Sequence, residues 1–344
     1  MAMKEESDAI GQHQVFGHFM ELPEGRKALP SHWVYRIKQD GAGNVQWFKA
    51  RLACGGNHQI EGIDYQAMYA PITRLGNVRQ ALAIAAKYDP EIHHMDLCTA
   101  FLGVDLEEDS SMHPTQGYFR LLQNGSRFNN TKLTKTLPKM PLRLRNSLYG
   151  LQQSWHVWYS TFKDRVILIG FLASCVDKRL FMLYYQDQEI VAAVDQCVDD
   201  VLIIANEGLI GQIKDQMKKK FQMYDLGSVF FYLGINFESN CNHHQIDISQ
   251  RNYIQTILAN LRMDKRRPVA TAMAMKIHKR KPDEEDCDPT IYQSMIGNLL
   301  CAMTSTRPDI AYATRLLNRC NHDPSNGHMV ALKHLFRYLN GTKD

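Results

Sequence analysis

Two adjacent carboxylates, Asp199 and Asp200, stand between two apolar runs that cover residues 190–194 and 201–204. Apolar runs on both sides of a short polar break are typical of two β-strands joined by a tight turn. The pattern therefore predicts a β-hairpin with both acids at its tip. Aspartate also occurs in turns for an ordinary reason, because it favours turn conformations and stays solvated there.

A third acid, Asp96, lies in a separate strand-like stretch at residues 94–101. Three acids on two strand ends suit a pair of Mg²⁺ ions, because Mg²⁺ prefers hard oxygen ligands. Two such ions about 4 Å apart stabilise the attacking and the leaving oxygen of phosphoryl or nucleotidyl transfer together. The three acids thus predict a two-metal site, with an ordinary solvated turn as the alternative.

The chain has 344 residues, and 44% of them are hydrophobic, which is enough for a sizeable core and for two or three domains. Its net charge of +4, from 40 basic and 36 acidic side chains, does not by itself indicate a polyanionic partner. The distribution is more informative, because residues 262–281 carry eight basic side chains and one acid. Such a segment is either a solvated face or a surface that follows a phosphate backbone.

The eight cysteines are scattered without a Cys-x-x-Cys pair, which favours reduced thiols inside a cell. The amino terminus lacks an apolar signal region, and no window approaches the roughly 18 apolar residues of a membrane span. We therefore expect a soluble protein without a membrane partner.

The first part of the chain predicts a β-ribbon after an irregular leader at residues 1–30. Alternating residues at 32–38 and 45–52 flank a glycine-rich turn at 40–44, which is a strong hairpin signal. Lys49 and Arg51 are two residues apart and so share one face of the second strand. Two cations on one strand face could bind a triphosphate, or they could simply form a solvated strand face.

The remaining patterns predict alternating helices and strands. Helices are expected at 78–87, 154–169, 209–220, 251–263 and over most of 292–339, strands at 230–237 and 245–248, and an irregular excursion at 105–145. The whole order predicts an α+β polymerase-like palm with a fingers hairpin before it.

Twelve short stretches follow one another in a fixed order from about residue 32 to residue 344. They are KARL (49–52), EGIDY (61–65), YAPITRL (69–75), HMD (94–96) with FL (101–102), DLEE (105–108), LYGLQQ (148–153), VDD (198–200), DLG (225–227), YLGI (232–235), SQRNY (249–253), TRPDIA (306–311) and RYLNGT (337–342). Each is weak alone, and their joint order is specific. The chain resembles the reverse transcriptase of copia-type LTR retrotransposons.

The resemblance implies RNA- or DNA-templated DNA synthesis, with roles at the positions that match. Asp96, Asp199 and Asp200 would hold two Mg²⁺ ions. Lys49 and Arg51 would contact the triphosphate of the incoming dNTP. Phe101 would be a steric gate that excludes a ribose 2′-hydroxyl, and Tyr149 and Gln152 would lie beside the nascent base pair. The implied primer grip contains Leu233 and Gly234, and the implied contacts to the nucleic-acid backbone come from Arg262, Lys265, Arg266, Arg267, Lys279, Arg280 and Lys281.

The resemblance also implies a right-hand polymerase fold. Residues 31–240 would form the fingers and a palm with an antiparallel sheet, and 241–288 a thumb-like region with a basic linker. Residues 289–344 would form a mainly helical, connection-like segment that ends before a ribonuclease H domain. The implied partners are an RNA or DNA template with its primer and dNTPs, in the cytoplasm, including virus-like particles, or in the nucleus. The oligomeric state is left open.

Several positions depart from the family's pattern. Cys197 stands where the family usually has tyrosine, and Asp195 and Gln196 interrupt a strand that is normally apolar. A carboxylate buried there would cost on the order of several kcal/mol unless it is neutralised or paired. The family's Lys, Pro and Arg after the Leu-Tyr-Gly-Leu motif are replaced by Gln152, Trp155 and His156. Two hypotheses therefore remain: an active reverse transcriptase module, and an inactive remnant that at most binds nucleic acid.

Overall fold

The chain folds as a mixture of helices and sheets of the α+β kind. The computed structural model describes residues 1–39, 45–71, 75–88, 90–115, 117–118, 140–185, 189–240, 243–273, 277–278 and 280–343. Contacts divide the chain into two compact units, one made of Met1–Ala81 and Pro90–Ser228, the other of Leu82–Asp89 and Val229–Asp344. The boundary predicted at residue 240 therefore falls inside the second unit.

The first unit contains most of the strands. In chain order its elements are α1 (Ala2–Gln12), β1 (Phe16–Phe19), β2 (Ser31–Gln39), β3 (Val45–Cys54), the first part of α2 (Leu75–Tyr88), β4 (Glu91–Leu97), β5 (Ser111–Met112), β6 (Leu142–Leu144), α3 (Ser154–Ile167), β7 (Leu172–Ala173), β8 (Leu180–Tyr184), β9 (Ile190–Cys197), β10 (Asp200–Ala205), α4 (Glu207–Lys220) and β11 (Met223–Ser228). The helices predicted at 78–87 and 154–169 are thus confirmed within a few residues.

A six-stranded antiparallel sheet in the order β11-β4-β10-β9-β8-β7 forms the centre of this unit. Side chains alternate between the two faces of a strand. Met95 and Val201 are directly opposite each other on neighbouring strands, and both pack into one core with Phe162 of α3 and Met217 of α4. One face of the sheet is therefore covered by helices, and the alternate positions of β4 and β10 point to the other face.

The leader predicted as irregular over residues 1–30 is wrong in its first half, because residues 2–12 form helix α1 and residues 16–19 form β1. Ile10 and Val15 are fully buried in a second core with Leu52 and Leu144. The segment is mostly polar, so its few apolar side chains gave no helical period to detect. Its order comes from tertiary packing.

The predicted ribbon is confirmed as the antiparallel pair β2–β3, in which Arg36 lies opposite Lys49 and Val34 opposite Arg51. The turn predicted at 40–44 lies outside the described residues. The carboxylate of Glu6 in α1 accepts a hydrogen bond of 3.2 Å from the Leu52 N–H, on the edge of β3 that β2 does not use. Helix α1 thus covers part of an otherwise unpaired strand edge.

The second unit combines a small sheet with a helical bundle. Its elements after α2 are β12 (Phe231–Tyr232), β13 (Ile235–Asn240), β14 (Gln245–Ser249), α5 (Arg251–Asn260), α6 (Pro289–Ser305), α7 (Ala311–Asn318) and α8 (Asn326–Gly341). Tyr292, Leu299, Leu332 and Phe336 are fully buried in its core. The helices predicted over 292–339 are confirmed, since three of them occupy this range.

The single strand predicted at 230–237 is wrong, because a tight turn at Leu233 and Gly234 divides it into β12 and β13. Both residues have positive φ, 50° and 83°. Two consecutive left-handed residues are what a two-residue hairpin turn of type I′ requires, and glycine adopts this conformation without strain. The run of aromatic and apolar residues concealed the turn.

An ion-pair network joins two of the motifs that carried the resemblance. Arg307 forms two hydrogen bonds with the carboxylate of Asp309, at 2.9 and 2.7 Å, and two with Thr342, at 2.9 and 2.6 Å. The Tyr338 hydroxyl donates to Asp309 at 2.9 Å. These contacts join the end of α8 to the segment before α7, so the stretches at 306–311 and 337–342 lie together in the fold.

Asp225 on β11 provides a test of the first unit's stability. Burial alone would raise its pKa, but hydrogen bonds from Lys214, the Gly227 N–H and Lys218 outweigh this effect and lower the pKa to about 2. The pKa of Asp225 is lower in the folded protein than the value of 3.8 in the unfolded chain, so its carboxylate stabilises the fold at pH values above 3.8. This stability is lost as the pH falls through about 2.

We expect Asp225→Asn to lower the free energy of unfolding at pH 7 by up to about 2 kcal/mol, since one pKa unit corresponds to about 1.4 kcal/mol and the side chain is 29% exposed. Urea unfolding of both proteins between pH 2 and pH 7 is the measurement. A difference that does not shrink toward low pH would contradict this account.

Among the helices that the structure describes, none combines the length and apolar character that crossing a membrane requires. The seven cysteines within the described residues are free thiols.

Candidate active site

Two of the three predicted acids lie side by side in the central sheet. Asp96 near the end of β4 pairs directly with Asp200 at the start of β10. Directly opposed residues of an antiparallel pair project to the same face and have neighbouring Cβ atoms. This face is the one opposite Met95 and Val201, away from helices α3 and α4. Like charges at such a pair repel each other, so the arrangement favours a cation between them.

The third acid, Asp199, belongs to the two-residue turn Val198–Asp199 that joins β9 to β10. Val198 has a φ of 59°, a conformation that a β-branched residue rarely adopts. The Leu97 N–H donates to the Asp199 carbonyl at 2.7 Å, which ties the turn to the strand of Asp96. The fold therefore holds all three acids at one end of the sheet.

Arg51 reaches this turn from the β2–β3 ribbon. Its Nη2 lies 3.5 Å from Oδ2 of Asp199, and its guanidinium lies over the ring of Tyr149, 4.6 Å from the ring centre. Burial is the largest influence on the pKa of the Asp199 carboxyl and raises it. The positive charges of Arg51 and Lys49 oppose this rise, and the negative charges of Asp96 and Asp200 add to it. The two ribbon cations and the three acids thus share one electrostatic environment.

His94 contacts the same group of acids. It is two residues before Asp96 on the same strand face, and its Nε2 lies 2.8 Å from Oδ1 of Asp200. Across the described chain, no three His, Cys, Asp or Glu side chains come close enough together to hold a metal ion. The donor set is of the kind that Mg²⁺ prefers, and the strand register fits a shared site, while His94 and Arg51 each contact one of the acids.

An aromatic cluster lies next to Arg51. Phe101 meets the rings of Tyr149 and Trp155 edge to face, with centres 5.4 and 5.0 Å apart. Phe101 is only 5% exposed. The Tyr149 and Phe101 positions predicted to contact the dNTP are therefore adjacent, and Trp155, which replaces the family's proline, packs against Phe101.

Two glycines allow the end of β3 to approach the loop that follows Tyr149. A Cβ on Gly56 would lie 2.0 Å from the Gly150 carbonyl oxygen, and one on Gly150 would lie 2.1 Å from the Cys54 carbonyl oxygen. Gly150 also has a φ of 89°. Gln152 uses its side chain within this junction, where Nε2 donates to the Gly56 carbonyl at 3.2 Å. In this structure the side chain of Gln152 therefore fixes the loop after Tyr149 to the segment that follows β3.

The residues predicted to grip the primer and to follow the nucleic-acid backbone belong to the second unit. Leu233 and Gly234 form the turn described above. Arg262, Lys265, Arg266, Arg267 and Lys281 are exposed, and Lys279 lies outside the described residues. Arg280 forms ion pairs with Asp286 and, at 2.7 Å, with Asp323.

The sequence interpretation missed a buried arginine beneath the acidic turn. Arg179 is 3% exposed, and it donates from Nη1 to Oε1 of Gln196 at 2.8 Å. Asp195, which interrupts the otherwise apolar strand, is 1% exposed. Its charge acts on Arg179, so this buried carboxylate has a cation nearby. An arginine directly before the apolar residues of β8 was the available sequence signal.

Glu6 was also missed, and nothing in the sequence indicates its place. Burial raises the pKa of its carboxyl, and the hydrogen bond from Leu52 and the charges of Arg51 and Lys49 oppose this rise. The charges of the two ribbon cations therefore act on both Glu6 and Asp199.

Comparisons with known proteins show which family this chain resembles. The family model for reverse transcriptase (RNA-dependent DNA polymerase) matches residues 14–275. Similar proteins include the retrovirus-related Pol polyproteins from transposon TNT 1-94 of Nicotiana tabacum, 30% identical over 99% of this chain, and from transposon RE1 of Arabidopsis thaliana, 31% identical over 99%. The polyprotein from transposon RE2 of Arabidopsis thaliana is 30% identical over 96% of the chain. The matches cover 25%, 23% and 22% of those polyproteins, so this chain spans about a quarter of their length.

Proposed function

The chain belongs to the reverse transcriptase family of copia-type retrotransposon Pol polyproteins, and from this membership we propose that it is an RNA-directed DNA polymerase module. Its reaction would be nucleotidyl transfer from a dNTP to the 3′-hydroxyl of a primer on an RNA or DNA template. The observation that carries the proposal is the direct pairing of Asp96 with Asp200 beside the turn of Asp199.

Asp96, Asp199 and Asp200 are the residues that would hold two Mg²⁺ ions. When bound, these ions supply the positive charge that favours an ionised primer hydroxyl and balances the charge of the α-phosphate and of the departing pyrophosphate. The antiparallel register supports this assignment. Burial raises the pKa of Asp199 and the charges of Asp96 and Asp200 add to this rise, so cations would stabilise the ionised group.

Arg51 and Lys49 would bind the triphosphate. Arg51 is already near the acids, where it serves as a counter-charge for Asp199. A guanidinium binds a phosphate through two parallel hydrogen bonds, so a triphosphate would compete with Asp199 for it. Phe101 would lie against the sugar, held by the rings of Tyr149 and Trp155. In this proposal the β2–β3 ribbon belongs to the fingers and the six-stranded sheet to the palm.

Primer extension tests the proposal. The purified chain is supplied with a primed homopolymer RNA template, the complementary dNTP and Mg²⁺, and elongation is followed on a sequencing gel. A primed DNA template of the same sequence serves as the parallel reaction. We expect elongation that depends on template, primer and Mg²⁺.

A second candidate, an inactive remnant that binds nucleic acid, is favoured by one observation. The acids are contacted by His94 and Arg51, and in the described chain their side chains do not form a three-ligand group. This candidate predicts that the chain shifts labelled template-primer in a gel without extending it. Elongation above a reaction without protein would exclude it.

The substitution at Cys197 gives a separate prediction. Cys197 pairs with Asp200 across the hairpin and so lies on the face of the acids. We expect Cys197→Tyr to raise the extension rate roughly fivefold, the equivalent of about 1 kcal/mol in the barrier, because a larger side chain packs against the primer terminus. Steady-state extension rates of the two proteins are the measurement. Cys175→Tyr, at an exposed cysteine, is the control. No gain would indicate that the polar residues at 195 and 196 limit the site instead.

A further inference from the structure

The turn that carries Asp199 is strained at its first residue. In the turn between β9 and β10, φ is positive at Val198, as in a type II′ hairpin turn, where glycine is usual. A non-glycine residue in this region costs on the order of 1–3 kcal/mol and persists only when its surroundings hold it there. The structure must therefore contain contacts that fix Val198.

Two such contacts converge on the carbonyl oxygen of Val198. Trp158 of α3 donates to it from Nε1 at 3.3 Å, and Gln196 donates from Nε2, also at 3.3 Å. A carbonyl oxygen has two lone pairs, so this oxygen is fully engaged. Trp158 approaches from the core helix, and Gln196 belongs to the strand that leads into the turn.

The orientation of the Gln196 amide is fixed by Arg179. An arginine can only donate hydrogen bonds, so the amide must present its oxygen to Arg179 and its NH₂ group to Val198. The contact from Arg179 Nη1 to Gln196 Oε1 is 2.8 Å long. If Arg179 were absent, the amide could rotate and withdraw its donor from the turn.

Arg179 is itself held on several sides. Its Nε donates to the Pro71 carbonyl at 2.5 Å, and its guanidinium lies over the ring of Tyr159, 5.0 Å from the ring centre. The Tyr159 hydroxyl donates to the Lys178 carbonyl at 2.7 Å. The guanidinium is thus a buried, fixed donor that connects α3 and the segment at Pro71 to strand β9.

We propose that Arg179 is a positioning residue that, through Gln196, holds the Val198–Asp199 turn and thereby places the Asp199 carboxylate. This inference rests on the proposed function for its meaning in catalysis. The competing explanation is that Arg179 only balances the buried charge of Asp195 and that its contact with Gln196 has no consequence for the turn.

Hydrogen–deuterium exchange separates these explanations without any need for activity. The Leu97 amide donates to the Asp199 carbonyl, so its exchange rate reports whether the turn stays in place. We expect Arg179→Met to accelerate exchange at Leu97 by about tenfold or more, while the amide of Ile203 in the middle of β10 stays unchanged. We expect Gln196→Met to have the same effect, and the double variant to add little, because both residues act through one chain of contacts.

A matched control is available in the same unit. Arg165 also lies over an aromatic ring, that of Phe221 at 5.4 Å, and donates to one carbonyl, that of Lys220 at 3.0 Å, but has no contact with the turn among those described. Arg165→Met should leave Leu97 exchange unchanged. If Arg179→Met does not fold, Arg179→Lys and Gln196→Met carry the test, because both keep the volume of the site.

Each outcome decides the proposal. Unchanged Leu97 exchange in Gln196→Met, or full recovery when Asp195→Leu is added to Arg179→Met, would overturn it in favour of charge balance. Accelerated exchange in both single variants without that recovery supports it. If the parent chain extends primers, kcat should fall about tenfold or more in both variants with the KM for dNTP unchanged, and an unchanged kcat would overturn the catalytic meaning. A parent chain that extends nothing would refute the proposed function alone, because the exchange result still stands.

Discussion

Asp199→Asn is expected to reduce primer extension by roughly 10²–10³-fold without lowering the melting temperature. The loss follows from removing one of the negative charges that hold the metal ions at the developing transition state, and single electrostatic groups of this kind are worth about 10²–10³-fold. The extension rate and the thermal unfolding curve of the same preparation are the two measurements.

The stability expectation follows from the sign of the pKa shift. Burial raises the folded-state pKa of Asp199 above the ordinary 3.8, so ionised Asp199 weakens the folded state as the pH rises through that raised value. At pH 7 to 8 the carboxylate therefore contributes a cost, which a neutral asparagine removes. Enzymes are often less stable than variants that lack a catalytic residue, because catalytic groups are placed for activity and not for stability.

Asp215→Asn is the matched control, since Asp215 is an exposed aspartate of α4 in the same unit. This variant should keep both activity and stability. If Asp199→Asn extends primers at the parent rate, the two-metal assignment is wrong. If it loses activity together with the fold, the raised pKa of Asp199 has been misinterpreted.

Phe101→Val is expected to relax the choice between deoxyribonucleotides and ribonucleotides by about 100-fold. A smaller side chain leaves room for the 2′-hydroxyl that the ring would exclude. The measurement is the ratio of kcat/KM for a dNTP to that for the matching rNTP, which does not depend on the fraction of folded protein.

Loss of a buried ring also destabilises the protein, by less than the roughly 3–5 kcal/mol that Phe→Ala costs. Phe162→Val controls for this effect, because Phe162 of α3 is fully buried in the same core. The control should lose stability and keep the nucleotide ratio. Equal ratios in the two variants would show that Phe101 is only a core residue.

Local patterns were sufficient for much of the fold. The apolar runs around Asp199 and Asp200 predicted β9, β10 and the turn, and the alternation at 32–52 predicted the ribbon. The preference of Mg²⁺ for oxygen ligands grouped Asp96 with the other two acids, and the order of the family motifs agreed with this grouping. The register that places Asp96 opposite Asp200 depends on contacts distant in sequence, which no local period encodes.

The features that sequence reasoning missed share one physical property, which is that tertiary contacts decide them. Helix α1 is held by burial of Ile10 and by Glu6, not by its own periodicity. Arg179 interacts with residues 17 and 108 positions away. The turn at Leu233 was hidden because its first residue is an ordinary leucine, and Gly234 was the single local clue.

The helix at the amino terminus has a practical consequence for anyone who shortens this protein. The segment that matches the family model begins at residue 14, which invites a recombinant fragment cut at that point. Such a fragment would lose Glu6 and Ile10, leaving the Leu52 amide unpaired and an apolar hollow open to water. Exposed strand edges beside apolar surface recruit other chains, so the trimmed version should collect in inclusion bodies while the version with its first dozen residues stays in the lysate supernatant.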